Sequence, residues 1–211
     1  MRAFAILETG SVKQELSFAR TETERYYPIG FTKRFNGDRD QIAYKGEWDA
    51  SEQLSLNWGL DQTREAFGSD AENGTSITRS IYSEALYAAT PDLDLSFALR
   101  YDDHSTFGGQ MSGRAALSWR PDPDWILRAV ASTGFRAPSL YELYSAYGNT
   151  GLTPEESRSF ELGAEYLLPG GSVQMTLFDT EIDNKIGFGG GVACPSCCYV
   201  QIPGTTHHAR G

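Results

Sequence analysis

No stretch of this chain approaches the roughly 18 consecutive apolar residues that a membrane-crossing helix needs, and its mean hydropathy is negative. A transmembrane helix is therefore excluded. Transmembrane strands are not, because they alternate lipid-facing and lumen-facing residues and read as amphipathic. Basic charge is scarce too: 18 Lys and Arg stand against 28 Asp and Glu, a net charge of −10. That balance argues against a nucleic-acid partner, which needs a basic surface to neutralise phosphates. An export signal is also missing. Met1-Arg2-Ala3-Phe4-Ala5-Ile6-Leu7 reaches Glu8 well short of the roughly 7–15 apolar residues and small-residue cleavage site of a signal peptide. Ala209-Arg210-Gly211 stops without a turn signal or a closing strand. Both ends predict an internal piece of a longer chain.

Cysteine is confined to Cys194, Cys197 and Cys198, in the run Cys-Pro-Ser-Cys-Cys. A zinc site would want a fourth ligand, and the nearby imidazoles are His207 and His208. The simpler reading is one loop disulfide drawn from the three cysteines, plus a leftover thiol, in an oxidising compartment. Sequence does not reveal the pairing. Nothing resembles a serine-histidine-aspartate order, a phosphate-binding glycine loop or a paired catalytic carboxylate. No catalytic residue, metal or cofactor is assigned, and the chain is not read as an enzyme. Asp102-Asp103-His104 reads as a solvated turn, and Asn36-Gly37-Asp38-Arg39-Asp40 as a cluster of turn formers.

What the chain has in quantity is period-two alternation. Leu54, Leu56, Trp58 and Leu60 alternate with Ser55, Asn57, Gly59 and Asp61. Leu93, Leu95, Phe97, Leu99 and Tyr101 alternate with Asp94, Ser96, Ala98, Arg100 and Asp102. Similar sets run through Ile42 to Trp48 and Met111 to Trp119. This spacing puts the two sets on opposite faces of a strand, one apolar and one polar. The strands are separated by two kinds of break in strict alternation. Short turns fall at Thr9 to Ser11, Asp49 to Glu52, Pro91-Asp92, Pro121 to Asp124 and Pro169 to Gly171. Longer polar or Gly-rich connections fall at Tyr27 to Gly37, Phe67 to Ser76, Asp102 to Gln110, Ala137 to Glu156 and Gly187 to Cys198. The pattern predicts an all-β chain of about eleven strands, an antiparallel meander forming part of a transmembrane β-barrel. Trp48, Tyr87, Trp119, Trp125 and Tyr166 lie near the short turns. Tyr26, Tyr27, Phe31, Phe107, Phe135, Tyr141, Tyr144 and Tyr147 lie toward the long connections. They are expected to form two interfacial girdles, although aromatics flank strand ends in many β-proteins.

The most specific stretch is Gly134 to Tyr166, which reads GFRAPSLYELYSAYGNTGLTPEESRSFELGAEY. With Leu95 to Gly109, Phe178 to Phe188 and Tyr199 to Gly211, it resembles the C-terminal half of the barrel of TonB-dependent outer-membrane receptors, in wording nearest the cobalamin-receptor branch. The residues carrying the motif are Phe135, Arg136, Ala137, Pro138, Asn149, Leu152, Pro154 and Glu155. The resemblance implies a barrel of about 22 strands with a plugged lumen. On that reading residues 1–211 are a partial barrel, without the plug domain, the segment that contacts TonB, or the C-terminal strands. It also implies the outer membrane of a Gram-negative bacterium. The implied partners are outer-membrane lipid, the TonB energy-coupling complex and a small-molecule ligand. The implied activity is TonB-coupled uptake of a bulky nutrient of the cobalamin or iron-siderophore class. The alternative is a passive porin or adhesin barrel. Haem-importing members pair the FRAP motif with Asn-Pro-Asn-Leu and a histidine between them. Here Asn149-Thr150-Gly151-Leu152 departs from that motif and no histidine lies between Pro138 and Asn149, which disfavours haem. Arg136, Tyr141, Tyr144 and Tyr147 are the expected ligand contacts. Glu142 is a candidate carboxylate for Arg136, against a solvated arginine.

Overall fold

A computed structural model describes residues 1–29, 32–70, 72–191, 194–202 and 207–210, with backbone alone for 190–191, 194–197 and 207–210. Alternating segments pair in sequence as β1 (Arg2–Thr9), β2 (Val12–Tyr26), β3 (Arg34–Ser51), β4 (Leu54–Ser69), β5 (Asn73–Thr90) and β6 (Leu93–His104). They continue as β7 (Gly108–Asp122), β8 (Trp125–Arg136), the short helix α1 (Leu140–Tyr144), β9 (Glu155–Leu168) and β10 (Gly171–Asp183). A hairpin of β11 (Ile186–Gly191) and β12 (Cys194–Gln201) follows, then β13 (His207–Arg210). One antiparallel sheet of 11 strands runs from β1 through β10 to β13, and the β11–β12 hairpin stands apart. The expected meander is borne out.

The register turns sequence alternation into two continuous faces. Leu16, Tyr44, Leu60, Ile81, Tyr101 and Met111 are successive cross-strand partners on one face. Trp48, Leu56, Ala85, Phe97, Ala115, Ala131 and Phe160 form another row of it. The opposite face carries Asp61, Ser80, Asp102 and Gln110 in one row, and Lys45, Gly59, Tyr82, Arg100 and Ser112 in the next. Arg100 organises this polar face. It donates to Asp102 Oδ1 at 2.9 Å, Ser80 Oγ at 2.7 Å and Asp61 Oδ1 at 3.1 Å. β1 departs from the pattern, since its register puts Phe4 and Ile6 with Ser17 and Glu15 on the polar side.

Nothing covers the apolar face among the described residues. Leu60, Phe97 and Leu162 are 52%, 53% and 61% exposed, and among the described residues no large side chain is fully buried. A soluble monomer does not leave an apolar surface of this extent in water. On β2 to β6 and β9 the apolar run gives way to a polar outward residue: Arg20 beyond Phe18, Asp40 beyond Ile42, Gln62 then Arg64 beyond Leu60, Arg79 beyond Ile81, Asp103 beyond Tyr101, Arg158 beyond Phe160. The outward apolar zone between Leu93 and Tyr101 therefore has the length of a tilted membrane-crossing strand, which takes about 9–11 residues. β3, at 18 residues and about 3.3 Å rise per residue, is far longer than that crossing requires.

Several long connections prove shorter than expected for this reason. The breaks are 27–33, 70–72 and 105–107, because the ladder continues beyond the apolar zone into water. There the outward face turns mostly polar while Phe35 and Phe67 stand on the inward face, so the alternation signal vanishes, although the hydrogen bonds persist. Asn36 to Asp40 lies inside β3 rather than in a turn. Asp102 and His104 are buried within β6, not solvated. Gly187 to Cys198 belongs mostly to the hairpin. Trp48, Trp119, Trp125 and Tyr166 keep their place beside the short turns, and Trp125 packs on Tyr166 at 5.0 Å. The girdle expected at the other end is only partly there, because Tyr27 packs on Phe35 and Phe107 on His104 instead of facing outward. Phe31 lies outside the described residues. Cys198 is buried on β12, while the side chains of Cys194, Cys197, His207 and His208 lie outside the described set.

Candidate functional site

The connection from β8 to β9 is a folded unit, built residue by residue. Pro138 has no N–H to donate, so the ladder cannot continue past it. Ser139 then caps α1 through a reciprocal pair. Its hydroxyl accepts from Glu142 N at 3.2 Å, and Glu142 Oε2 accepts from Ser139 N at 2.7 Å. Gly148 closes the turn after the helix and donates to Ser145 O at 2.7 Å. A Cβ there would stand 2.5 Å from Leu143 O, so only glycine fits. Asn149 forms a second turn, its Oδ1 accepting from Gly151 N at 2.9 Å.

Arg136, the last residue of β8, faces Glu155, the first of β9. It donates from Nε and Nη2 to the two Glu155 oxygens at 2.8 and 3.0 Å, and from Nη1 to Glu142 Oε2 at 2.9 Å. The fork geometry of guanidinium matches this use. Glu155 Oε1 also accepts from Ile186 N at 2.6 Å. One arginine thus ties β8, α1, β9 and β11 together. Hydrogen bonding from Arg136 holds the Glu155 carboxyl below the usual carboxylate range, against the opposing push of burial. Burial pushes the Glu142 carboxyl up, but Arg136 and the Ser139 N–H and hydroxyl outweigh it and leave it lowered. The Arg136 guanidinium is raised, chiefly by its bonds to Glu155.

Leu143, Leu152 and Ile186 form a small buried core beneath this unit, with Phe107, Tyr144 and Tyr199 packed against it. Cross-ties fix the unit to the hairpin: Asn149 Nδ2 donates to Tyr199 O at 3.1 Å, and Thr153 N to Gln201 Oε1 at 2.9 Å. Gln201 Nε2 also donates to Asn184 O, at a turn where Asn184 takes a φ of 54°. Helix α1 packs over β4 and β5, on the polar face. Tyr144 lies directly against Gly74 of β5. Gly74→Val is expected to displace Tyr144 and cost about 1–3 kcal/mol through overpacking. Chemical unfolding of the variant in detergent, with tyrosine fluorescence as the local probe, checks this; an unchanged midpoint and spectrum would refute the contact.

Between α1 and the protruding ends of β2 to β4 lies an open recess of about 490 Å³, lined in part by Arg25, Tyr27, Phe35, Phe67, Tyr141 and Tyr147. Tyr141 is central, with ring centroids 5.9 Å from Phe35, 5.8 Å from Phe67 and 6.1 Å from Tyr199. Tyr147 meets Phe188 edge-on at 5.9 Å. Of the four expected ligand contacts, Tyr141 and Tyr147 line the recess. The donors of Arg136 are engaged by Glu142 and Glu155, and Tyr144 packs into the small core. The motif residues Asn149, Leu152 and Glu155 all hold the unit together. Phe35 and Phe67 were not singled out from sequence, yet a signal existed. Both are odd-numbered aromatics on strands whose apolar face is even-numbered, which places them on the polar side. Likewise Ser139-Leu140-Tyr141-Glu142 is a capping-box sequence that announces the helix. Among the described residues, no cluster of His, Cys, Asp or Glu is arranged to hold a metal.

Comparison with known proteins agrees with this architecture. The family model for the TonB-dependent receptor-like β-barrel matches residues 6–211. The vitamin B12 transporter BtuB of Vibrio cholerae is 35% identical over 95 residues, covering 44% of this chain and 16% of that protein. An iron-regulated outer membrane virulence protein of the same species is 30% identical over 159 residues, covering 67% of this chain and 24% of its own length. The ferric enterobactin receptor PfeA of Pseudomonas aeruginosa superposes with a TM-score of 0.80 at 18% identity, over 98% of this chain and 39% of that one, a likeness of fold. The chain therefore spans well under half the length of the proteins it resembles. The match across nearly the whole chain, over a sheet with one lipid-ready face and one polar face, means that this chain belongs to the TonB-dependent receptor β-barrel family of the Gram-negative outer membrane.

Proposed function

We propose that this chain forms one wall of an outer-membrane receptor for active, TonB-coupled uptake of a bulky nutrient of the cobalamin or iron-siderophore class. The observation carrying the proposal is the folded unit 137–154, which packs onto the lumen side of β4 and β5 and sets Tyr141 against Phe35 and Phe67. A passive pore gains nothing from a rigid, aromatic-lined recess at its mouth. A receptor gains a preorganised surface, since large rings contribute contact area at little entropic cost. Tyr141 and Tyr147 are the proposed ligand contacts. Arg136 and Tyr144 act on the ligand by fixing the wall that presents them. Release of bound cargo falls to the plug and the TonB complex that the family implies.

The test uses cyanocobalamin and ferric enterobactin as probes on the receptor purified in detergent, and radiolabelled uptake in energised cells. Tyr141→Ala together with Tyr147→Ala is expected to weaken binding of the recognised probe about tenfold, as loss of two aromatic anchors would. Uptake should stop when the proton-motive force is collapsed. Uptake that persists unchanged in de-energised cells would favour the passive-barrel reading and sink this one.

A further inference from the structure

We propose that His104 is a pH-sensitive latch on the β6–β7 turn, holding Phe107 under the 137–154 unit while neutral and loosening it when protonated. Its effect on binding rests on the receptor function proposed for that unit; the latch itself does not.

His104 ends β6 three residues beyond Tyr101, above the apolar zone, on the face that carries Ser80 and Asp102. It is 7% exposed. Its Nδ1 accepts from Thr106 N at 3.1 Å, which places the proton of the neutral ring on Nε2. The ring also lies against Phe107, with centroids 5.0 Å apart. Phe107 in turn packs on Leu143, Leu152 and Ile186, the small core beneath the unit that presents Tyr141. One imidazole thus holds the turn through an acceptor and steadies the core through a ring.

Protonation removes the first hold. An imidazolium donates from both nitrogens, so Nδ1–H would meet Thr106 N–H head-on, with a charge in a nearly closed site. Across the ladder His104 faces Thr78 of β5 and Gly108 of β7, and neither offers an anion. Glu65 of β4 and Asp103 of β6 favour the cation, but burial outweighs them and leaves the imidazole below its ordinary value. Glu65 also stands 3.8 Å from Arg39. Asp102, on the same face as His104, is taken by Ser80 at 2.6 Å and Arg100 at 2.9 Å. On α1, Glu142 is held by Arg136. The latch is therefore fully stabilising above the unfolded histidine value, about 6.5. It weakens as pH falls below that value and through the lowered folded one. The window of Glu142 and Glu155 begins about two pH units lower, near the ordinary glutamate value.

The experiment uses the receptor purified in detergent and reads hydrogen-exchange protection at Thr106 and Leu143, relative to the intrinsic rate at each pH. In the wild type, protection at Thr106 is expected to fall about five- to tenfold between about pH 7.5 and 5.5, as release by one proton requires, and Leu143 should follow. His104→Asn puts an amide oxygen near the place of Nδ1, accepts from Thr106 without titrating, and should keep its protection constant over that range. Phe107→Ala cuts the link, so Leu143 should no longer respond to pH. Flat protection in the wild type, an equal fall in His104→Asn, or a Leu143 response that survives in Phe107→Ala overturns the proposal. Should His104→Asn fail the heat-modifiability test for a folded barrel, the wild type and Phe107→Ala still decide it. Affinity for cyanocobalamin or ferric enterobactin is compared between wild type and His104→Asn at each pH, so that titration of the probe cancels. It should fall in the wild type alone, by about twofold or more over that range. Equal affinities beside an intact exchange response would refute the link to binding. Binding of neither probe at neutral pH would count against the receptor reading, while exchange still judges the latch.

Discussion

Replacing Arg136 by alanine is expected to loosen the whole 137–154 unit and to weaken ligand binding by roughly tenfold or more, with about 2 kcal/mol lost from local stability. The reason lies in what the substitution leaves behind. Glu142 and Glu155 are each mostly buried, while the guanidinium between them is nearly half exposed. Its Coulombic attraction is therefore screened by water. The larger penalty is two carboxylates close together without their shared cation. Arg136→Lys keeps the charge but loses the fork, so it should recover only part of the effect. The pH dependence has a definite sign. Both carboxyls sit below their ordinary values in the folded unit, so their stabilising contribution is complete above the unfolded value, about 4.3 for glutamate. It is lost as pH falls below that value and through the lowered folded values. Hydrogen-exchange protection at Asn149 to Leu152, taken relative to the intrinsic rate at each pH, should fall on acidification in the wild type. In Arg136→Ala that protection should already be low at neutral pH. Protection that is equal in the two proteins at neutral pH would show that the arginine does not hold the unit.

The fold was legible wherever one face of a strand meets lipid. Leu93 to Tyr101 alternates because hydrocarbon demands apolar residues on one side and the lumen tolerates charge on the other. Beyond Tyr101 that demand ends, and Asp102-Asp103-His104 offers no contrast between faces. A continuing strand then looks like a loop. The candidate site was legible in part for a different reason. The run from Gly134 to Tyr166 identifies the family strongly, but motif strength does not say which residues touch ligand. Asn149, Leu152 and Glu155 are motif residues because the connection must fold on itself, through an Asx turn, a buried leucine and a paired carboxylate. Phe35 and Phe67 lie some seventy to a hundred residues earlier, and only the sheet register brings them beside Tyr141. No local pattern could announce that meeting, although their phase on the strand marked them as inward-facing.

An arginine in place of Leu162 is expected to destabilise the protein by about 2–4 kcal/mol in a bilayer, while an arginine in place of Gln174 changes little. The two positions lie on neighbouring strands but opposite faces. Leu162 stands between Ala129 of β8 and Leu177 of β10 on the apolar face, two residues from Phe160 and four from Tyr166. It is well inside the zone that lipid must cover. Gln174 faces Glu165 on the polar side, where a new cation finds a carboxylate and water. The comparison separates lipid from water as the solvent of the apolar face. Leu162 is already 61% exposed in the chain by itself, so substitution there removes little protein packing. In water, such a surface change would stay within about 0.5 kcal/mol. Any large cost must therefore come from transferring the guanidinium into hydrocarbon. Urea unfolding of the protein reconstituted in phospholipid vesicles gives the two free energies directly. A Leu162→Arg variant as stable as Gln174→Arg would mean that lipid does not cover this face, and the membrane orientation of the sheet would have to be abandoned.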